Sequence, residues 1–366
     1  MRLLVTGGGT GGHIYPALSV VDALSANGHL DRGEVGWVGN ADSLEERVLA
    51  KEGITFYPVA AGALRGKGVA GTLRGSMRSM TGIFQAWKIL YRFDANVVLA
   101  TGGYVSVPLV LAAWLAGCPV LIYLPDMEPG LAVRFLAFFA RRVAVSFPVV
   151  ARRLPSRKVI VSGYPVRGAL YATSKEAARD RLGLDDGRPV LLILGGSQGA
   201  HSINEAVRKA LVGLLERVQL VHISGFNDQE MLEASRRRLD AKRRARYHLF
   251  PYLYERMTDA LVAADLVVAR SGAATLGEFP AVGLPAILVP YPYAGQHQEV
   301  NARYLAERGA AIIVQDDALD GELLSSVQRL LDKPEALSAM ADASRALAVP
   351  QAAERIGEAL CSLAKG

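Results

Sequence analysis

Three glycine clusters carry the groups in this chain best suited to handling phosphate and protons. The first is Leu3-Leu4-Val5-Thr6-Gly7-Gly8-Gly9-Thr10-Gly11-Gly12-His13, a short apolar run feeding five glycines and an imidazole. It recurs as Leu191-Leu192-Ile193-Leu194-Gly195-Gly196-Ser197-Gln198-Gly199-Ala200-His201, with six of eleven positions identical. The third is Thr101-Gly102-Gly103-Tyr104, again after an apolar run. A strand that delivers glycines to the start of a helix presents unpaired backbone N–H groups to an anion, so each cluster is a candidate phosphate turn. His13 closes the first turn where a helix begins, and an imidazole near neutral pH is the usual general base. His201 holds the same place in the repeat and is expected to cap its turn.

Other chemistries fit these loops less well. Gly7, Gly9 and Gly12 match G-x-G-x-x-G, but the acid expected about 20 residues on for a nicotinamide cofactor is missing from Trp37-Val38-Gly39-Asn40. Gly195-Gly196-Ser197-Gln198-Gly199 matches the nucleophile elbow of hydrolases, with Asp265 and His297 downstream in the right order. That fold has a single sheet and leaves the first 160 or so residues, with their own glycine turn, unexplained. No Walker lysine follows either loop, no D-x-D occurs, and no histidines show H-x-x-x-H spacing. No metal or other cofactor is expected. A departing diphosphate must then be stabilised by backbone amides, helix dipoles and arginine.

These loops need a scaffold, and the rest of the chain supplies one. With 366 residues and 51% hydrophobic content, two α/β domains can each bury a core. Apolar runs at 3–5, 35–38, 97–100, 120–124 and 143–146, then at 190–194, 220–223, 266–269, 286–289 and 311–314, alternate with helical patterns. That rhythm predicts two mostly parallel, doubly wound sheets facing a cleft. The expected division is 1–163 plus a C-terminal helix over about 342–366, against 164–341. The uncharged stretch from Val105 to Pro125 is long enough to span a membrane, but Pro108, Gly117 and Pro119 break it into a helix and a buried strand.

Two cysteines, Cys118 and Cys361, without C-x-x-C spacing, and an N-terminus with no signal peptide predict a cytoplasmic location. The net charge of +6 is uneven: residues 1–163 hold 17 Lys and Arg against 10 Asp and Glu. Leu73, Met77, Met80, Ile83, Phe84 and Trp87 recur at helical steps beside Arg74, Arg78, Lys88 and Arg92. Such a stripe is by default core, but the basic excess around it favours contact with an anionic membrane surface. The arginines from Arg236 to Arg246 are interspersed with Leu239 and Asp240 and are expected to form a solvated helix face, not a nucleic-acid site.

The motifs as a set resemble the MurG family of peptidoglycan N-acetylglucosaminyltransferases through almost the whole chain. The resemblance rests on the stretch from Gly7 to Leu18, Gly102-Gly103-Tyr104-Val105-Ser106, the second glycine loop, Arg270-Ser271-Gly272-Ala273 with Glu278, and His297-Gln298 with Asn301-Ala302. It implies a metal-independent, inverting glycosyltransferase of two Rossmann-like domains, the GT-B architecture. The implied donor is UDP-N-acetylglucosamine. The implied acceptor is undecaprenyl-linked lipid I at the cytoplasmic membrane face, where the enzyme would be peripheral. The attacking group would be the C4 hydroxyl of the N-acetylmuramyl unit, deprotonated by His13.

The same resemblance implies the remaining roles. Glu278 would accept from the ribose hydroxyls, Ser197, Gln198 and Arg167 would meet the diphosphate, and Tyr254 would occupy the uracil-reading position. His297 and Gln298 would hold the sugar hydroxyls, and Thr10, Gly11 and Gly12 are also assigned to the donor. Gly102, Gly103, Tyr104 and Asp126 would face the acceptor. One departure stands out: the family usually has His-Glu-Gln-Asn before Pro-Gly-Leu, whereas this chain has Tyr123-Leu124-Pro125-Asp126 before Pro129-Gly130-Leu131. Asp126 replaces an amide, and it is expected to support or replace His13. The alternatives are a related GT-B enzyme acting on another membrane glycolipid, and a non-catalytic adaptor that binds the nucleotide sugar.

Overall fold

A computed structural model describes the chain except residues 9–10, 63–67, 155, 185–186, 197–198, 255, 294–296 and 366, with backbone alone for residues 44 and 68–79. Thr10, Ser197, Gln198 and the side chains of Leu73, Arg74, Met77 and Arg78 therefore lie outside the described residues. The chain divides into two compact units, Met1–Arg167 with Val349–Gly366, and Gly168–Ala348.

The first unit is built on seven parallel strands: β1 (Leu3–Thr6), β2 (Val35–Gly39), β3 (Thr55–Pro58), β4 (Val97–Ala100), β5 (Val120–Leu124), β6 (Arg142–Val145) and β7 (Val159–Val161). Their order is β3-β2-β1-β4-β5-β6-β7. The second holds six, β8 (Val190–Leu194), β9 (Gln219–Ile223), β10 (Tyr247–Phe250), β11 (Leu266–Ala269), β12 (Ala286–Leu288) and β13 (Ala311–Ile313), in the order β10-β9-β8-β11-β12-β13. Parallel central strands are covered on both faces, which is why they are continuous apolar runs. Every residue of β1, β4, β5 and β11 is buried.

In each sheet the order reverses beside the first strand, between β1 and β4 and between β8 and β11. Open parallel sheets bind ligands at the carboxyl ends of the strands flanking that switch. In this chain those ends carry the glycine clusters: Gly7–Gly12 after β1, Thr101–Gly103 after β4, Gly195–Ala200 after β8 and Arg270–Gly272 after β11.

Helices α1 (Gly11–Ala26), α2 (Leu44–Glu52), α3 (Gly68–Phe93), α4 (Ser106–Leu115) and α5 (Leu131–Leu136) complete the first unit with short later elements. The uncharged stretch from Val105 resolves into α4 and β5. No helix among the described residues is long and apolar enough to cross a membrane. The helical tail is two helices, Pro334–Arg345 and Ala352–Ala364. The second packs on α1, with Ile356 and Leu360 in the same core cluster as Leu18 and Val21. Gly163, at φ +88°, admits the returning chain: a Cβ there would lie 2.6 Å from Val349.

α3 turns its stripe outward. Ala86, Leu90 and Phe93 are buried, and Gly82 lets the helix approach the Ala60 carbonyl and Pro108. Met80, Phe84 and Trp87 of the stripe are exposed, as is Tyr91, so the default of core packing does not hold for them. The arginines of 236–246 are mostly engaged: Arg236 donates to the Tyr247 carbonyl, Arg244 to those of Arg237 and Leu239, and Arg246 to that of Leu215. Arg237, Arg238 and Arg244 are exposed, as a solvated helix face requires, while Arg244 and Arg246 cap helix ends.

Candidate functional site

The first unit's site is organised around His13, in the first turn of α1. Its Nδ1 lies 2.7 Å from the Thr101 carbonyl at the end of β4. A carbonyl only accepts, so Nδ1 carries the hydrogen and Nε2 keeps its lone pair. That is the tautomer a general base needs. Thr101 is held in turn by its own N–H to the Thr6 carbonyl, 2.9 Å, across the switch point.

The loop after β4 is shaped to let the imidazole in. Gly102 has φ +104° and Gly103 φ +79°, and a Cβ on Gly102 would lie 3.5 Å from His13 Cε1. Ser106 Oγ donates to the Gly102 carbonyl at 2.7 Å and fixes the turn. Tyr104 is exposed beside it. The first glycine loop carries an unforeseen feature, because the carboxylate of Glu45, 1% exposed, occupies the space of a Gly8 side chain, 2.2 Å from an ideal Cβ. A buried carboxylate there repels phosphate.

Asp126 follows β5 and is half-buried. Its segment is set by Tyr123, whose buried hydroxyl meets Ser146 Oγ at 2.7 Å, while Ser146 also donates toward the Leu124 and Pro125 carbonyls. Burial, then the charge of Asp126, push the Tyr123 phenol well above its ordinary range, so it stays protonated. Arg167 belongs to the first unit. It pairs with Glu52 at 2.5 Å and lies over the Tyr15 ring at 5.0 Å, and its Nε is buried without a partner.

In the second unit, Arg270 at the end of β11 ties several loops together. It donates to Ser202 Oγ at 2.7 Å and to the Val289 and Pro290 carbonyls, pairs with Asp316 at 2.5 Å and lies over the Tyr291 ring. Ser271 Oγ donates to the Gln298 carbonyl and Asn301 Nδ2 to the Ser271 carbonyl. Gln298 accepts at Oε1 from the Tyr291 N–H at 3.0 Å. His297 opens the same helix, and its Nδ1 is buried with no hydrogen-bond partner. Glu278 begins the short helix Glu278–Val282, and Tyr254 stands edge-on to Tyr252 with centroids 4.5 Å apart.

His201 does not cap its turn. Ala200 is the N-cap residue, and the His201 ring pairs with Asp228 at 2.9 Å. A cavity of about 570 Å³ in this unit lies at the opposite, N-terminal edge of the strands, lined by Lys175, Asp265 and Arg345 among others, and is not this site. Among the described residues no cluster of His, Cys, Asp or Glu could hold a metal ion. The sequence offered no signal for Glu45, Asn204 or His222, whose partners are far away in the chain.

Two family models match: the glycosyltransferase family 28 N-terminal domain over residues 3–145 and its C-terminal domain over 190–356. A Roseiflexus sp. (strain RS-1) protein is 40% identical over 97% of this chain and 93% of its own length. One from Desulforudis audaxviator is 40% identical over 100% and 99%. Each is named UDP-N-acetylglucosamine–N-acetylmuramyl-(pentapeptide) pyrophosphoryl-undecaprenol N-acetylglucosamine transferase. The crystal structure of Acinetobacter baumannii MurG superposes with a TM-score of 0.72 at 28% identity, covering 99% of this chain and 100% of that one. A UDP-GlcNAc 2-epimerase from Neisseria meningitidis, at 16% identity and TM-score 0.66 over 99% and 100% of the two chains, shares the fold. The chain belongs to glycosyltransferase family 28 and, within it, to the MurG family.

Proposed function

We propose that this chain transfers N-acetylglucosamine from UDP-N-acetylglucosamine to undecaprenyl-pyrophosphoryl-N-acetylmuramyl-pentapeptide, with His13 as the base. The family supports the reaction. The observation that carries the base assignment is the Thr101 carbonyl on His13 Nδ1, which leaves Nε2 free to take a proton.

The acceptor's C4 hydroxyl gives its proton to Nε2 while its oxygen forms a bond to the anomeric carbon. The bond from that carbon to the β-phosphate oxygen breaks, and its electron pair leaves with UDP. Attack opposite the leaving group inverts the centre. The developing charge on the diphosphate is met by amides at the start of the His201–Leu215 helix and by the loop carrying Ser197 and Gln198. Arg167, paired with Glu52, is the cation assigned to the same diphosphate. Glu278 takes the ribose hydroxyls, Tyr254 marks the uracil position, and the unpartnered Nδ1 of His297 suits a sugar hydroxyl. The second unit is thus the donor domain and the first the acceptor domain.

The first unit also carries the membrane contact in this reading. Phe84, Trp87 and Tyr91 stack in series along α3, with Lys88 over the Phe84 ring at 4.4 Å. Trp114, Phe135 and Phe138 on and after α4 and α5 are exposed as well. Exposed aromatics set among basic residues fit the interface of an anionic bilayer.

The test is UDP release from UDP-N-acetylglucosamine in EDTA, with and without a short-chain lipid I analogue. Acceptor-dependent release is expected, and His13→Ala should lower it about 10²- to 10⁴-fold. Donor binding without release would overturn the acceptor assignment and direct attention to the Tyr123–Asp126 segment. A His13→Ala rate near wild type would overturn the choice of base.

A further inference from the structure

A buried polar chain in the second unit lies outside the reaction described above. His222, on β9 between β10 and β8, is 0% exposed, as is Asn204 one turn into the His201–Leu215 helix. His222 Nδ1 lies 3.0 Å from Tyr247 Oη, and its Nε2 lies 2.9 Å from Asn204 Oδ1. Asn204 Nδ2 donates to the Ser224 carbonyl at 2.8 Å and to Asp228 Oδ2 at 2.7 Å. Asp228 Oδ1 meets His201, which is exposed.

These contacts have only one consistent proton arrangement. Flipping the Asn204 amide would set its oxygen against a carbonyl and a carboxylate, so Oδ1 faces His222 and accepts from Nε2–H. Nδ1 then accepts from the Tyr247 hydroxyl. Burial holds His222 down to about 3, with the Asp228 charge working against it, so the ring stays neutral and the direction does not reverse.

The chain ends against the second glycine loop. A Cβ on Gly199 would lie 2.3 Å from the Ser224 carbonyl oxygen and 3.1 Å from Gly225 Cα, and Gly199 has φ +80°. Gly199 therefore rests on the backbone that Asn204 grips. The Asn204 N–H also holds the Ala200 carbonyl at 2.9 Å, the last residue of the loop. One side chain thus bonds the floor of the loop while its own backbone bonds the loop's exit.

We infer that Asn204 is a positioning residue for the donor's diphosphate, setting the height of Gly199 and Ala200 at the exit of the second glycine loop through the Ser224 carbonyl and anchored by His222 and Asp228. This rests on the reading that this loop meets the diphosphate. A fully satisfied buried network specifies one geometry, and an amide donor displaced by a fraction of an ångström loses much of its bond to an oxyanion. Its direct contacts to a loop are those with Gly199 and Ala200, whereas the uridine contacts assigned to Glu278 and Tyr254 lie on other loops, that of Tyr254 following the Phe250 carbonyl to which Ser224 donates.

The experiment is calorimetric titration of the full chain with UDP and with uridine, for wild type, Asn204→Ala and Asp228→Ala. Asn204→Ala should weaken UDP about 10-fold or more while uridine stays within about 2-fold. Asp228→Ala removes only the last link and should shift the UDP-to-uridine ratio the same way by less. It carries the test alone if Asn204→Ala does not fold. Equal weakening of UDP and uridine, or an unchanged ratio in variants that melt lower, would show a purely structural role and overturn the inference. Wild type binding uridine as tightly as UDP would overturn the donor-loop reading first, and this inference with it.

Discussion

Replacing Gly102 by alanine should separate backbone strain from catalytic orientation. At φ +104° an L-residue is strained, which costs about 1–3 kcal/mol. The new methyl itself would meet Val133 at 3.3 Å and His13 at 3.5 Å, near ordinary contact, so the strain relaxes by rotation rather than by steric expulsion. Rotation about φ of residue 102 turns the peptide that carries the Thr101 carbonyl, the acceptor of the His13 Nδ1 hydrogen at 2.7 Å. Losing that hydrogen bond costs about 1 kcal/mol and frees the ring, which lowers turnover on the order of 10-fold. Gly117→Ala is the control, since Gly117 has φ +73° with nothing within 4 Å of its ideal Cβ. Thermal unfolding and saturated UDP-release rates should show both variants destabilised and only Gly102→Ala slow, with KM for the donor little changed. If Gly102→Ala loses stability but keeps kcat within about twofold of wild type, His13 is not oriented through Thr101. If it loses no stability, the strain estimate itself is wrong.

Three further outcomes are expected. Asp126→Ala should lower turnover if the carboxylate supports His13, and normal turnover would remove Asp126 from the reaction. Trp87→Ala combined with Phe84→Ala should reduce co-sedimentation with vesicles containing phosphatidylglycerol about 10-fold or more while leaving UDP affinity unchanged; undiminished vesicle binding would rule out the α3 face. The second unit should lose stability as pH falls from about 6.5 toward 3, because the unfolded chain protonates His222 whereas burial keeps the folded ring neutral. His222→Phe should flatten that part of a denaturation-midpoint profile against pH. An unchanged slope would show that other groups set it.

Much of the scaffold was legible along the chain. Nine of the ten strands predicted from apolar runs are central ones, where burial on both faces demands continuous Val, Leu and Ile, and the tenth, β13, is a short apolar edge strand. The three that the pattern missed, β3, β7 and β10, sit at sheet edges, and most of their residues are only partly buried or exposed. An edge strand needs no unbroken apolar run, so its sequence resembles a loop. The glycine clusters were equally visible, because positive φ and close backbone approach leave glycine as the residue that fits. Their place at the switch points followed from strand order.

The sequence by itself determined the two parallel sheets, the glycine turns at their carboxyl edges and the presence of His13 beside one of them, since each depends on local pattern and backbone sterics. Only the tertiary structure decided which imidazole nitrogen is free, that Glu45 lies buried under Gly8, that α3 turns its aromatics outward, and that Asn204 joins His222 to Asp228. Those facts are pairings between residues tens of positions apart. A hydrogen bond or a burial depends on which partner the fold brings within about 3 Å, and residue type and spacing do not carry that information.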